Sequence, residues 1–110
     1  MAVLQWDREG VVMRLPYAAA LCNSTNGVHG GVVAALADTC GTGASLAAIE
    51  HDGFIATVSM NINYLAPAST DLTATAVCVK PGRRILLSRV DVHDTSGRLV
   101  AEATITNMIP

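Results

Sequence analysis

Residues 29–50 read HGGVVAALADTCGTGASLAAIE, a long and mostly apolar run without proline. Its Ala and Leu content predicts a helix. Apolar residues occupy nearly every side of that helix, which is typical of a helix surrounded by protein. Gly41 and Gly43 each cost the helix about 1 kcal/mol relative to Ala. We therefore expect another backbone to pack closely against these two positions.

A period of two follows the helix and predicts a strand over residues 55–64. In this pattern Met60 and Tyr64 share an apolar face, whereas Thr57 and Asn61 share a polar face. The strand is thus expected to turn the Thr57 hydroxyl away from Met60.

Other strand-like segments are joined by short turns, which make consecutive strands antiparallel neighbours. We see no domain boundary and expect a single domain over residues 1–110. The fold class is predicted to be α+β, with one long central helix wrapped by an antiparallel meander. The remaining strand runs are residues 3–17, with a turn at Glu9 and Gly10, and residues 71–80, 84–93 and 98–108.

Composition limits the partners and the compartment. The chain is 51% hydrophobic, more than so short a chain can bury alone, and this excess predicts a homo-oligomer. A net charge of −2 argues against nucleic acid as a partner. Charged residues interrupt the N-terminus before any signal peptide could form, and Asp38 argues against a membrane span in residues 30–49. We expect a cytoplasmic protein with reduced thiols.

Asp38 lies among apolar residues with no Lys or Arg one helical turn away. Burying an unpaired carboxylate costs several kcal/mol, so its presence indicates a candidate catalytic group. Two alternatives remain open. The carboxylate could accept structural hydrogen bonds from hydroxyls, or it could face solvent through a gap in the sheet.

The predicted helix begins at Val28-His29-Gly30-Gly31. Glycines leave the first amide N–H groups unshielded, and the helix dipole places partial positive charge there. This end could hold a carbonyl that becomes an oxyanion, or it could be an ordinary flexible helix start.

The two helix features do not share one side of the helix. Asp38 follows His29 by nine residues, which is about two and a half turns and about 13 Å along the axis. A two-fold dimer with antiparallel helices would bring Asp38 of one protomer to Gly30 of the other. If this pair is functional, the enzyme is an obligate dimer.

Positive charge gathers at Lys80, Arg83 and Arg84 on a predicted hairpin. The hairpin could bind phosphate groups, or it could simply be solvated charge. His29, His51 and His93 lack metal-site spacing, so no metal is predicted.

Four segments of the chain together resemble the hotdog-fold acyl-CoA thioesterases, in particular the phenylacetate-pathway and hydroxybenzoyl-CoA thioesterases. The resemblance runs from Asn23 to the C-terminal strand. The segments are NSTNGVHGG (23–31), LADT (36–39), VSMNINYLAPA (58–68) and GRLVA (97–101).

The resemblance implies roles for individual residues. Asp38 would act as the nucleophile or as the general base, since family members differ. The Gly30 and Gly31 amides would polarise the thioester carbonyl. Asn23 would support that carbonyl or the attacking water.

The resemblance also implies a water-orienting hydroxyl at Thr57 and substrate contacts at His29 and Tyr64. The substrate would be an acyl-CoA with a medium-chain or aromatic acyl group, and CoA would arrive as part of it. No cofactor would be needed.

Pocket depth is expected to depend on how Leu36, Cys40, Met60 and the loop over residues 17–22 meet across subunits. The short N-terminus leaves open whether the oligomer is a dimer or a dimer of dimers. A non-catalytic module that binds acyl-CoA or another small apolar ligand is the alternative function.

Overall fold

A computed structural model describes all residues of the chain, 1–110. It contains one long helix and six strands, which confirms the predicted α+β class. The elements are β1 Ala2–Asp7, β2 Gly10–Leu15, a 3-10 turn Ala19–Leu21, α1 Gly30–Ala48, β3 Ala56–Tyr64, β4 Leu72–Pro81, β5 Ile85–His93 and β6 Leu99–Met108.

The strands form one antiparallel sheet in the order β1-β2-β4-β5-β6-β3. The predicted meander is confirmed for β4, β5 and β6, which are joined by short turns. Strand β3 departs from it, because it lies beside β6 at the far edge rather than beside β4. The sheet therefore has two unpaired edges, β1 and β3.

Helix α1 crosses one face of this sheet. Its inner side contributes Leu36, Cys40 and Ala44 to the core, each at most 2% exposed. Its outer side is open to solvent at Ala35 and Thr39. The expectation of a helix surrounded by protein is therefore not met within one protomer.

The length and hydropathy of α1 would allow it to span a membrane, but half of the apolar window is buried inside the fold. This is the behaviour of a core helix.

The two glycines within α1 make room for side chains. A Cβ atom at Gly41 would lie 2.5 Å from Cγ1 of Ile105, and one at Gly43 would lie 2.8 Å from Cζ3 of Trp6. The prediction of close approach is correct, but the prediction of a neighbouring backbone is wrong. Sheet side chains press against the helix at both positions.

A bulge at Val58 changes the face of Thr57. Thr57 pairs with Asn107 and Met60 pairs with Ile105, with a register shift between them. Both partners are fully buried beneath the helix. Directly paired residues point to the same face, so Thr57 points toward the helix together with Met60. The predicted polar face for Thr57 is wrong, because the extra residue interrupts the period of two.

A second bulge, at Leu4, has the same effect on β1. Val3 pairs with Met13 and Trp6 pairs with Val11, on either side of a register shift. Met13 and Val11 are buried on the helix side. Val3 and Trp6 therefore both face the helix although three positions separate them.

Candidate active site

Asp38 is half-buried on α1 and is held by hydroxyl groups. Its Oδ1 atom accepts a hydrogen bond of 2.7 Å from Oγ1 of Thr57. The hydroxyl of Thr42 lies 3.5 Å from the same oxygen. No Lys or Arg pairs with Asp38, and Oδ2 has no hydrogen-bond partner within the chain. One carboxylate oxygen is fixed and the other is available.

Asp38 lines an open cavity of about 450 Å³ on the outer side of α1. The cavity has one polar side and one apolar side. The polar lining consists of Asp38, Thr39, Thr42 and Thr57, and the apolar lining includes Val3, Trp6, Met13 and Leu46.

The wall formed by Val3 and Trp6 was not predicted from the sequence. Trp6 is half exposed and lies against Gly43. Alternation along β1 would place the two residues on opposite faces, and only the bulge at Leu4 brings them together. The one signal in the sequence was Gly43, which predicted a close neighbour at this position but not that the neighbour is the Trp6 side chain.

The predicted dependence on Leu36 and Cys40 is wrong. Both side chains are fully buried in the core and do not reach the cavity. Burial raises the pKa of the Cys40 thiol to about 11, so this thiol is protonated at neutral pH and is no rival nucleophile. It lies two residues beyond Asp38, but on the inner side of the helix.

The start of α1 has two free amides. The N–H groups of Gly30 and Gly31 have no acceptor within the chain, whereas those of Val32 and Val33 bond to the carbonyl of His29. Both glycines are exposed, and a Cβ atom at Gly31 would meet open space. The geometry fits an anion or a polarised carbonyl.

Tyr64 packs on this helix start. Its hydroxyl donates a hydrogen bond of 2.7 Å to the carbonyl of Gly30. A Cβ atom at Gly30 would lie 3.3 Å from Cζ of Tyr64, so a glycine lets the ring approach. His29 precedes the helix and makes no capping hydrogen bond through its side chain.

Asn23 stabilises the loop before the helix. Its Oδ1 atom accepts hydrogen bonds from the amide and hydroxyl of Thr25 and from the amide of Gly27. Only its Nδ2 donors remain for other partners. Asn23, Gly30 and Tyr64 line a second cavity of about 430 Å³.

The predicted site residues thus fall into two groups within one protomer. Asp38 lies with Thr57, whereas Asn23 and Gly30 lie with Tyr64, and the two cavities share no residue. Asp38 follows Gly30 by eight positions, or about 12 Å along the helix. We refer to the Asp38 cavity and the helix-start cavity as the two half-sites.

The basic hairpin lies at the same end of the sheet as Thr57. Lys80, Arg83 and Arg84 are exposed, and none forms an ion pair within the chain. Pairing aligns Leu86 with Asn107 and Asn107 with Thr57. Two strand spacings, about 10 Å, separate this end of β5 from β3.

Comparison with known proteins identifies a family. The model of the thioesterase superfamily matches residues 25–101. Mouse acyl-coenzyme A thioesterase 13 is 33% identical over 87 residues, which cover 76% of this chain and 61% of that protein. A Halobacterium salinarum protein with an esterase name is 35% identical over 97 residues, which cover 84% of this chain and 64% of that protein.

A solved structure of a protein with a thioesterase superfamily name is also similar to this chain. Zebrafish thioesterase superfamily member 2 superposes with a TM-score of 0.89 at 28% identity, covering 98% of this chain and 80% of that chain. The chain spans less than two thirds of the length of the two curated relatives.

Proposed function

The chain belongs to the thioesterase superfamily, and on this premise we propose that it hydrolyses acyl-CoA thioesters to a free acid and CoA. One observation carries the proposal. Asp38 lies on the polar side of a cavity whose other side is apolar, with one carboxylate oxygen bound by Thr57 and the other free. A carboxylate held in this way can attack a thioester carbonyl or activate a water molecule.

The chemistry needs a donor group for the carbonyl oxygen. When the nucleophile attacks, the carbonyl π bond opens and negative charge develops on that oxygen, where preorganised amides stabilise it. The carbonyl re-forms as the C–S bond breaks and CoA leaves as the thiolate. We propose that the free amides of Gly30 and Gly31 supply this function, assisted by the helix dipole. The remaining Nδ2 donors of Asn23 would support the same oxygen or the attacking water.

We propose that two copies of the chain assemble the site. The two half-sites lie apart on one protomer, and β3 is an unpaired edge with exposed Val58, Met60 and Tyr64. An unpaired strand edge is a template for pairing with another chain. Two-fold pairing of β3 edges would run the helices antiparallel and oppose unlike half-sites.

The apolar walls of the cavity favour a substrate with an apolar acyl group. Trp6, Val3 and Met13 form a surface suited to a medium-chain or aromatic acyl chain. The exposed hairpin with Arg83 and Arg84 is proposed to contact the CoA phosphates. No metal or redox cofactor is required in this scheme, and the cytoplasmic location stays a prediction.

An acyl-CoA panel tests the activity. Free-thiol release is measured for the wild type, for Asp38→Asn and for the control Asp91→Asn, whose carboxylate lies on β5 away from both half-sites. We expect Asp38→Asn to lower kcat about 100-fold or more, with little change in the control. Thermal stabilisation of the wild type by CoA esters without turnover would instead favour the binding module.

Complementation tests the shared site. Gly31→Val places a side chain in open space within the protomer, so the fold is retained while the amides are blocked. Asp38→Asn and Gly31→Val are each expected to be inactive. Co-expressed, they form mixed dimers in which one of two sites is intact, and about a quarter of wild-type activity returns. No recovery would place both groups in one protomer.

A further inference from the structure

Three polar residues in the core have no role in the chemistry described so far. Ser45, Ser88 and Asn107 are the only fully buried polar side chains, each 0% exposed. A buried polar group without a hydrogen bond costs free energy, yet none of their side-chain atoms lacks a partner. They belong to α1, β5 and β6, and they lie in one connected chain of hydrogen bonds.

The direction of this chain follows from Asp38. An ionised carboxylate only accepts hydrogen bonds, so the single proton of the Thr57 hydroxyl is directed to Oδ1 of Asp38 at 2.7 Å. Thr57 Oγ1 can then only accept from its other neighbours, which are Nδ2 of Asn107 at 3.3 Å and the hydroxyl of Thr42 at 3.2 Å.

The orientations of Asn107, Ser45 and Ser88 follow in the same way. With Nδ2 of Asn107 toward Thr57 and Thr42, its Oδ1 faces Ser45 and accepts that hydroxyl at 2.8 Å. Ser45 has then used its proton, so Ser88 donates to Ser45 at 2.7 Å. The donors of Ser88, Ser45, Asn107 and Thr57 thus follow one another toward Asp38, and both N–H protons of the Asn107 amide are used.

We propose that Asn107 is a positioning residue for the carboxylate. Its amide fixes the Thr57 hydroxyl so that the proton of that hydroxyl is given to Oδ1 of Asp38, which leaves Oδ2 to react. The inference rests on the proposed function. This role explains why polar residues are buried here. Thr57 lies on an exposed edge strand, and its side chain needs a rigid partner to keep one orientation.

A double-mutant cycle separates positioning from simple packing. Asn107→Leu is made in the wild type and in Thr57→Val, and kcat, KM and thermal stability are measured. We expect Asn107→Leu to lower kcat about tenfold in the wild type, with KM changed less than about twofold. In Thr57→Val it should lower kcat by less than about twofold, because the one link left between the amide and Asp38 is the Thr42 hydroxyl, 3.5 Å from Oδ1. A packing role would lower kcat by the same factor in both backgrounds, and that outcome would overturn the proposal.

Two smaller substitutions test the same positioning role if the Asn107→Leu variant does not fold. Ser45→Ala frees the Asn107 amide to turn over and should lower kcat several-fold, again only when Thr57 is present. Ser88→Ala removes the far end of the chain. It should reduce thermal stability while kcat stays within about twofold, so an equal loss of kcat in both variants would contradict the proposal.

An NMR measurement does not depend on turnover. The side-chain amide resonances of Asn107 should shift in Thr57→Val and in Asp38→Asn, whereas Asp91→Asn should leave them unchanged. Unmoved resonances would refute the link between Asn107 and Asp38. If the wild type hydrolyses no thioester, the proposed function fails, but this measurement still tests the hydrogen-bond chain.

Discussion

The two edges of the sheet use the same backbone device for different purposes. Strand β1 has a bulge at Leu4 that turns Trp6 toward the helix, and β3 has a bulge at Val58 that turns Thr57 toward the helix. The first edge supplies an apolar wall, and the second supplies a hydroxyl group to Asp38. At both edges the bulge decides which face a side chain lies on, while the residue type decides what that side chain does there.

The edges also differ as surfaces for another chain. Strand β3 has nine residues and β1 has six. The bulge lies near the start of β3, which leaves residues 59–64 regular, but it divides β1 near its middle. A long regular edge is the better template for pairing, so the dimer is proposed to form through β3.

Among the variants that compare the two edges, the largest effect is expected from charging the β3 edge. Ser59→Lys/Asn61→Lys adds like charges on the outward face of that edge, and they would repel their copies across a two-fold axis. We expect monomers by light scattering and roughly tenfold or greater loss of thioesterase activity. The matched control Ala2→Lys/Gln5→Lys, on the outward face of β1, should stay dimeric and active. Dissociation by the β1 variant alone would reverse the assignment of the two edges.

An intermediate effect is expected at Trp6. Trp6→Ala removes the largest apolar group of the cavity, so KM for medium-chain or aromatic acyl-CoA should rise about tenfold. KM for acetyl-CoA should change less, because its acyl group is too short to contact the wall. Leu4→Ala is the control, since this bulge residue is exposed and does not line the cavity. Equal changes for long and short acyl groups would show that Trp6 is not part of the acyl pocket.

The smallest effect is expected at the basic hairpin, which lies near the β3 edge. Replacing Lys80, Arg83 and Arg84 by Ala should raise KM for CoA esters by about three- to tenfold. This increase in KM should be smaller at high salt. Short thioesters without the nucleotide should be unaffected. Arg89→Ala removes an exposed charge elsewhere on β5 and serves as the control. Similar KM changes for both substrate types would argue against phosphate contact.

The local sequence determined the helix and the six strands, because Ala and Leu content without proline indicated the helix, and alternation and turn residues indicated the strands. It also indicated Asp38 and the glycines at residues 30–31, since a carboxylate in an apolar helix and an unshielded helix start are visible in one dimension. The predicted orientation of Thr57 was wrong because strict alternation has no place for an extra residue.

The tertiary structure decided which side chains meet. A bulge depends on how an edge strand fits its neighbour, so the positions of Trp6 and Thr57 could not follow from alternation. Asn107 lies 69 residues beyond Asp38 in sequence, and only the placement of β3 beside β6 brings its amide to the hydroxyl that holds the carboxylate. Local chemistry is encoded by neighbouring residues, whereas contacts across the sheet depend on the packing of the whole chain.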